Sequence, residues 1–156
     1  LRDAGGERRL GMETSGTSPR GGVAARPADG STQESARTLT FAAGGGDALV
    51  SGGAVDLTRQ SNGEMAIGFR YRVDAAPQGP VRLTLGAGSV DVTRLLAARP
   101  IGEWATLKVR LSCLADHGAD IAAVDQPWGL TTNAPFAITV ETIRLASNEG
   151  DAVCPN

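Results

Sequence analysis

An all-β fold, either an antiparallel β-sandwich or a jelly roll, is the class this sequence predicts, and three observations predict it. Apolar residues recur with a period of two along several segments, and turn residues punctuate those segments at roughly regular spacing. No long stretch carries a helical period. The chain has 156 residues, 41% of them hydrophobic, enough for one domain with a real core.

Residues 1–30 are rich in glycine, arginine, serine and proline, with almost no apolar periodicity. Such a composition buries too little apolar surface to offset its ordering entropy. It predicts a linker or peripheral arm over 1–30 and a sandwich over 31–156. Short strand candidates follow at residues 38–42, 48–51 and 54–57.

The clearest alternation spans residues 65–73. Met65, Ile67, Phe69, Tyr71 and Val73 share one face, and Arg70, Arg72 and Asp74 share the other. Val81, Leu83 and Leu85 repeat the pattern with Arg82 and Thr84 outward. Leu107, Val109 and Leu111 repeat it again, with Thr106, Lys108 and Arg110 outward, in a strand over 105–112. Phe136, Ile138 and Val140 form the last set, after which the phase slips to Ile143 and Leu145. A one-residue slip predicts a β-bulge near Glu141-Thr142.

The turns are signalled by the glycines at 44, 45 and 46, by Asn62-Gly63, Pro77-Gln78-Gly79-Pro80 and Gly86-Ala87-Gly88, and by Asp116-His117-Gly118. The single helical candidate is 92–98, close before Pro100.

Charge and composition narrow the function. Fifteen basic against seventeen acidic side chains give a net charge of -2, without the basic excess of a general nucleic-acid binder. No apolar run approaches the roughly 18 residues that span a bilayer, so no membrane role is expected. One histidine (His117), two cysteines and six aromatic rings leave little material for a His-based metal site, a Ser-His-Asp triad or a broad sugar-stacking platform.

Glycosidases need two carboxylates about 5–9 Å apart, but Asp47, Asp56, Asp74, Asp91, Asp116, Asp120 and Asp125 fall mostly at turns and strand ends. Turn aspartates ordinarily cap backbone donors, and no motif singles out a pair. Asp116-His117-Gly118-Ala119-Asp120 reads as a polar turn rather than a metal loop, and the glycine triplet, with no Lys-Ser/Thr after it, as a flexible turn rather than a phosphate cradle. The outward residues Arg70, Arg72, Arg82, Lys108 and Arg110 would make one basic face if their strands are neighbours. That face could bond sugar hydroxyls, dock on an acidic domain surface or simply be solvated. Trp104 and Trp128 stand where indoles usually anchor a core. Trp128 is the ring joined to the basic face as a candidate sugar contact.

Cys113 and Cys154 would be buried thiols in a cytosolic chain and a disulfide pinning the C-terminal tail in an exported one. The polar setting of Cys154, with no other anchor, favours the bonded pair.

Several strings carry a resemblance. Thr32-Gln33-Glu34-Ser35-Ala36-Arg37 before an apolar strand is similar to a QE-x-AR opening. The run Gly102-Glu103-Trp104-Ala105-Thr106-Leu107-Lys108-Val109-Arg110-Leu111-Ser112-Cys113-Leu114 resembles a G-x-W-x-T-L-x-V-x-L-x-C-F strand. Gly118-Ala119-Asp120-Ile121, Val124 and Pro127-Trp128 follow the order of a GADL-x-x-V-x-x-PF turn, with Leu130-Thr131-Thr132 after it. In order and spacing these resemble the C-terminal galactose-binding-like sandwich of bacterial family 3 glycoside hydrolases, over residues 30–146. Two departures are the absence of extra cysteines at 86–90 and the presence of Trp128 and Leu114 where phenylalanine is usual.

The resemblance implies a non-catalytic accessory domain of an exo-acting β-glucosidase or β-glucan glucohydrolase, exported to the periplasm or beyond. Its catalytic aspartate and acid–base carboxylate would lie in other domains. The partners it implies are those catalytic domains and, through them, β-glucan. No cofactor is expected, although such sandwiches often hold a structural calcium to which Asp47 or Asp56 could contribute. An autonomous carbohydrate-binding module is the first rival, a purely structural spacer the second and an enzyme in its own right the last.

Overall fold

The structure is a computed structural model that describes residues 16–17, 23–28 and 36–155. Two antiparallel sheets face each other across one apolar core, as the alternation predicts. The first sheet contains β1 (Gly16–Thr17), β2 (Val23–Ala28), β3 (Ala36–Phe41), β5 (Ala66–Ala75), β8 (Trp104–Arg110) and β10 (Phe136–Ala146). Their order is β1-β2-β3-β10-β5-β8. The second contains β4 (Gly46–Val50), β6 (Val81–Leu85), β7 (Gly88–Asp91) and β9 (Trp128–Thr132), in the order β4-β9-β6-β7. Three short helices, α1 (Thr58–Asn62), α2 (Thr93–Ala97) and α3 (Leu111–Asp116), lie between strands.

Inward residues of both sheets meet in the core. Leu39, Ile138, Val140, Phe69 and Val109 come from the first sheet, and Val50, Leu130, Trp128, Leu83 and Val90 from the second. One aromatic pair ties the layers together, Phe69 of the first sheet meeting Trp128 of the second edge-on at 5.3 Å, while Phe41 stacks on its cross-strand partner Phe136 at 5.8 Å within the first sheet. Burying a ring of this size contributes roughly 2–3 kcal/mol, so these contacts weigh heavily.

The expected bulge is present. β10 pairs Glu141 with Arg70 and then Arg144 with Gly68, so three steps on one strand oppose two on the other. Thr142 absorbs the extra residue at φ 51°. Ile143 turns inward at 6% exposure, but Leu145, expected beside it, stays 36% exposed.

Other expectations need correction. The strand over 105–112 ends at Arg110, and Leu111 opens α3. There the apolar spacing changes from two to three, so Leu111 and Leu114 are buried on one helical face. The strand expected at 54–57 is reduced to one bridge between Val55 and Val124. Gly86 and Ala87 make the two-residue turn of the β6–β7 hairpin, so the signal at Gly86-Ala87-Gly88 marks a turn and the start of a strand together.

Within 1–30, expected as a linker or peripheral arm, eight residues are described. These, Gly16–Thr17 and Val23–Ala28, form the outer strands of the first sheet, and Val23 is buried in the core. Residue 30 therefore falls between two paired strands, β2 and β3.

Two glycines are forced by close approach. Gly45 sits at φ +64°, and a Cβ there would collide with the backbone carbonyl of Thr132. At Gly129 a Cβ would run into Thr84 Oγ1 and into Leu49 Cδ2, the latter at 2.5 Å.

After β10 the chain returns along the free edge of β8. Val153 donates its N–H to the Lys108 carbonyl (2.9 Å) and accepts from the Arg110 N–H (3.1 Å). Cys113 and Cys154 are joined by a disulfide, their Cα atoms 5.5 Å apart. Among the described residues no helix is long and apolar enough to cross a membrane.

Candidate functional site

Alternation decides which side chains can meet a partner. On β5 and β8 the outward residues are Arg70, Arg72 and Asp74, and Trp104, Thr106, Lys108 and Arg110; register sets Arg72 opposite Trp104, Arg70 opposite Thr106, and Gly68 opposite Lys108. Four of the expected basic residues, Arg70, Arg72, Lys108 and Arg110, therefore share the outer face of the first sheet.

Arg82 does not join them. It projects from β6 in the second sheet, where Nε donates to Ser89 Oγ (2.9 Å) and Nη2 to the Ser89 carbonyl (3.2 Å). The single basic face expected from five strand positions is thus divided between opposite sides of the sandwich. Spacing along each strand was legible, but the pairing of strands was not.

For Trp128 the core reading holds and the candidate sugar contact does not. It lies on the inner face of β9 at 0% exposure and cannot touch a ligand. Trp104 takes the surface role. It is half-buried, with the Arg70 and Arg72 guanidiniums over its ring at 5.7 and 5.3 Å. The signal that could have found it is phase, because 104 lies in step with the outward residues 106, 108 and 110.

The face is polar without being strongly basic. Arg70 Nε pairs with Glu141 Oε1 at 3.3 Å, and Glu141 is fully buried at the bulge. Arg72 Nε pairs with Asp74 Oδ1 at 2.7 Å, while its Nη2 donates to Thr139 Oγ1 at 3.2 Å. Thr139 gives its one hydroxyl proton to Asp74 Oδ2 at 2.5 Å. Thr38 must then be the donor in its 2.8 Å contact with Thr139. Lys108 Nζ pairs with Asp151 at 2.9 Å and also donates to the Ser147 carbonyl at 3.3 Å. That hydrogen bond from Lys108 is the main cause holding the exposed Asp151 carboxyl below the usual range. Arg110 Nε is buried without a hydrogen-bond partner among the described residues. Three of the four cations are therefore matched by carboxylates, leaving donors and acceptors with little net charge.

Three further aspartates accept from nearby donors. Asp56 accepts from the Thr58 N–H (2.9 Å), Asp47 from the Thr131 hydroxyl, and Asp120 from the Ala122 N–H (3.2 Å). Among the described residues the one group of metal-ligating side chains is Cys113, His117 and Cys154.

Asp91 offers a test of the second sheet. The Thr93 hydroxyl (2.5 Å), then the Thr93 N–H (2.9 Å), with smaller help from Arg82 and Arg94, hold its carboxyl below the usual range. A carboxylate with a lowered folded pKa stabilises the fold above its unfolded value, about 3.9, and loses that contribution as pH falls through the folded value. The stability gap between wild type and Asp91→Asn should therefore be constant from pH 7 to about 5 and shrink below about 4. Urea midpoints across that range would show it; a gap indifferent to pH would disprove it.

The sequence matches the Exop_C family model, described as galactose-binding domain-like, over residues 1–145. No curated protein matches the sequence. Among solved structures, it is similar to the extra C-terminal domain of an exo-1,3/1,4-β-glucanase from a Pseudoalteromonas species. That likeness has a TM-score of 0.67 and 17% identity, and covers 89% of this chain and 79% of that domain. Against the whole glucanase the TM-score is 0.69, again at 17% identity, with 97% of this chain matched to 19% of the enzyme. The chain thus spans about a fifth of that enzyme. A family 30 carbohydrate-binding module of a cellulosomal cellulase from Clostridium thermocellum is also similar, with a TM-score of 0.63 and 13% identity over 86% of this chain and 91% of the module. At these identities the structural likenesses establish the sandwich fold.

Proposed function

The chain belongs to the Exop_C family of galactose-binding-like domains, and from that premise we propose that it is a non-catalytic accessory domain of an exported, exo-acting β-glucan hydrolase of glycoside hydrolase family 3. It packs on the catalytic domains and supports engagement of long glucan chains. The family match over residues 1–145 carries this assignment. The extra C-terminal domain of a glucanase, similar over most of both lengths, supports it. The carboxylates agree with a non-catalytic role, since Asp47, Asp56 and Asp120 accept from backbone or hydroxyl donors and Glu141 pairs with Arg70 at the bulge. Deleting the domain from its parent enzyme should lower the thermal midpoint or the turnover of long glucans relative to short ones. Unchanged stability together with unchanged kinetics would refute the proposal.

A second function, autonomous sugar binding, is favoured by one observation: the partly exposed Trp104 set among Arg70, Arg72, Thr106 and Asp74. Because the cations there are largely neutralised, such a surface suits uncharged glucan hydroxyls better than an anionic polymer. Calorimetric titration of the isolated chain with cello- and laminari-oligosaccharides separates the two. An autonomous module binds saturably and loses roughly tenfold in affinity in Trp104→Ala, the scale expected for one ring contact. An accessory domain that acts only through its catalytic partner shows no saturable heat.

A further inference from the structure

The best-defined cluster of soft ligands among the described residues lies where the tail meets α3. One donor atom from each of Cys113, His117 and Cys154 lies within 4.8 Å of the others. Two parts of the chain, the end of α3 and the tail, build the cluster. Cys113 is buried on α3, His117 stands one turn later just past its end, and Cys154 arrives on the tail that pairs with β8. Nδ1 of the imidazole donates to the Cys113 carbonyl at 2.8 Å and stands 3.9 Å from Cys113 Sγ. A carbonyl only accepts, so Nδ1 carries the proton, and the exposed ring offers an ion the free lone pair of Nε2 by turning about its side-chain bonds. Fixing the tautomer through a backbone carbonyl is what the outer contacts of histidine metal ligands ordinarily do.

We propose that the reduced chain binds one thiophilic divalent cation, of the zinc or cadmium type, through Cys113, Cys154 and His117. A tetrahedral zinc ion takes thiolates at about 2.3 Å and imidazole at about 2.0–2.1 Å, which sets its donors roughly 3.5–3.8 Å apart. With Cα atoms 5.5 Å apart, both thiolates reach one ion by side-chain rotation and a small shift of the exposed tail. His117 is exposed and free to follow. The fourth position is left to water.

The chemistry balances with a phosphine as the reductant. The S–S bond breaks, phosphorus takes the oxygen of water to become a phosphine oxide, and the two protons of that water end on the two sulfurs. Metal binding then releases both thiol protons as two metal–sulfur bonds and one metal–nitrogen bond form. The tail would thus be fastened to α3 by a disulfide in oxidising surroundings and by a metal in reducing ones.

The test uses the whole chain, reduced anaerobically by a water-soluble phosphine and titrated with cadmium chloride. One equivalent should produce an ultraviolet thiolate-to-cadmium charge-transfer band, and zinc should displace the cadmium. The oxidised chain should give no band, Cys154→Ser should lose it, and His117→Ala should weaken binding at least tenfold. Equal affinity in His117→Ala, or no band in the reduced chain, overturns the proposal. Should reduction loosen the fold, zinc must restore the near-ultraviolet circular dichroism of the buried Trp128. Failure to restore it counts equally against the site.

Discussion

Replacing Trp128 with alanine should destabilise the domain by about 3–5 kcal/mol, whereas phenylalanine at the same place should cost about 1 kcal/mol or less. The first figure follows from burial. Trp128 is fully enclosed and meets Phe69 edge-on, so truncation leaves a cavity between the two sheets and removes a ring–ring contact. The second follows from the indole nitrogen. Nε1 is buried without a hydrogen-bond partner among the described residues, and a buried unpaired donor costs about 1–3 kcal/mol, which phenylalanine removes along with some volume. Urea unfolding at matched slope would measure both variants. A phenylalanine variant as unstable as the alanine one would show that the nitrogen is satisfied after all.

The second large effect is expected at the tail. In the presence of a chelator, a Cys113→Ser, Cys154→Ser double variant should lose about 4 kcal/mol, the chain-entropy value for a loop of 41 residues. At roughly 2–4 °C per kcal/mol for a chain of this size, the melting midpoint should fall by about 10 °C. The loss should also be local. Lys108–Asp151 and the two backbone bonds of Val153 remain, but an exposed ion pair holds little on its own. Amide exchange at Val153 and Arg110 should accelerate well before exchange at Phe69 or Val140. A midpoint unmoved by the double substitution would mean that the tail is fastened by packing alone.

Much of the fold was legible because it rests on short-range regularity. The period of two placed Phe69, Tyr71, Leu83, Val109 and Ile138 inside, and the phase slip located the bulge at Glu141-Thr142. Helix α3 was missed because Leu107, Val109 and Leu111 continue one alternation. Only packing against β7 and α1 decides that the backbone bends at Arg110. The two tryptophans illustrate the other limit. Each obeys the phase of its own strand, Trp104 outward and Trp128 inward, yet β9 is short and carries no clear alternation in sequence, so Trp128 has no phase to read. The candidate face failed in the same way at Arg82. Whether two strands share a sheet depends on pairings far apart in sequence, and no local pattern records them. Of the carboxylates that neutralise the face, Asp74 was legible two residues from Arg72 on the same strand face, but Glu141 reaches Arg70 only once β10 lies beside β5.

The place of β10 in the first sheet has a kinetic consequence. It is the last described strand in the chain, yet it lies at the centre, between β3 and β5, with Thr139 bonded to Thr38 from 101 residues away. During synthesis β3 and β5 must wait, unpaired on those edges, until residues 136–146 emerge. Loop-closure entropy of that span is met before any pairing offsets it, which slows folding to the range of milliseconds to seconds typical of such topologies. The first sheet therefore closes late, when β10 joins the β2–β3 and β5–β8 pairs. A nascent chain stalled before residue 136 exposes two strand edges at once, and in that interval the domain depends on being kept from its own copies.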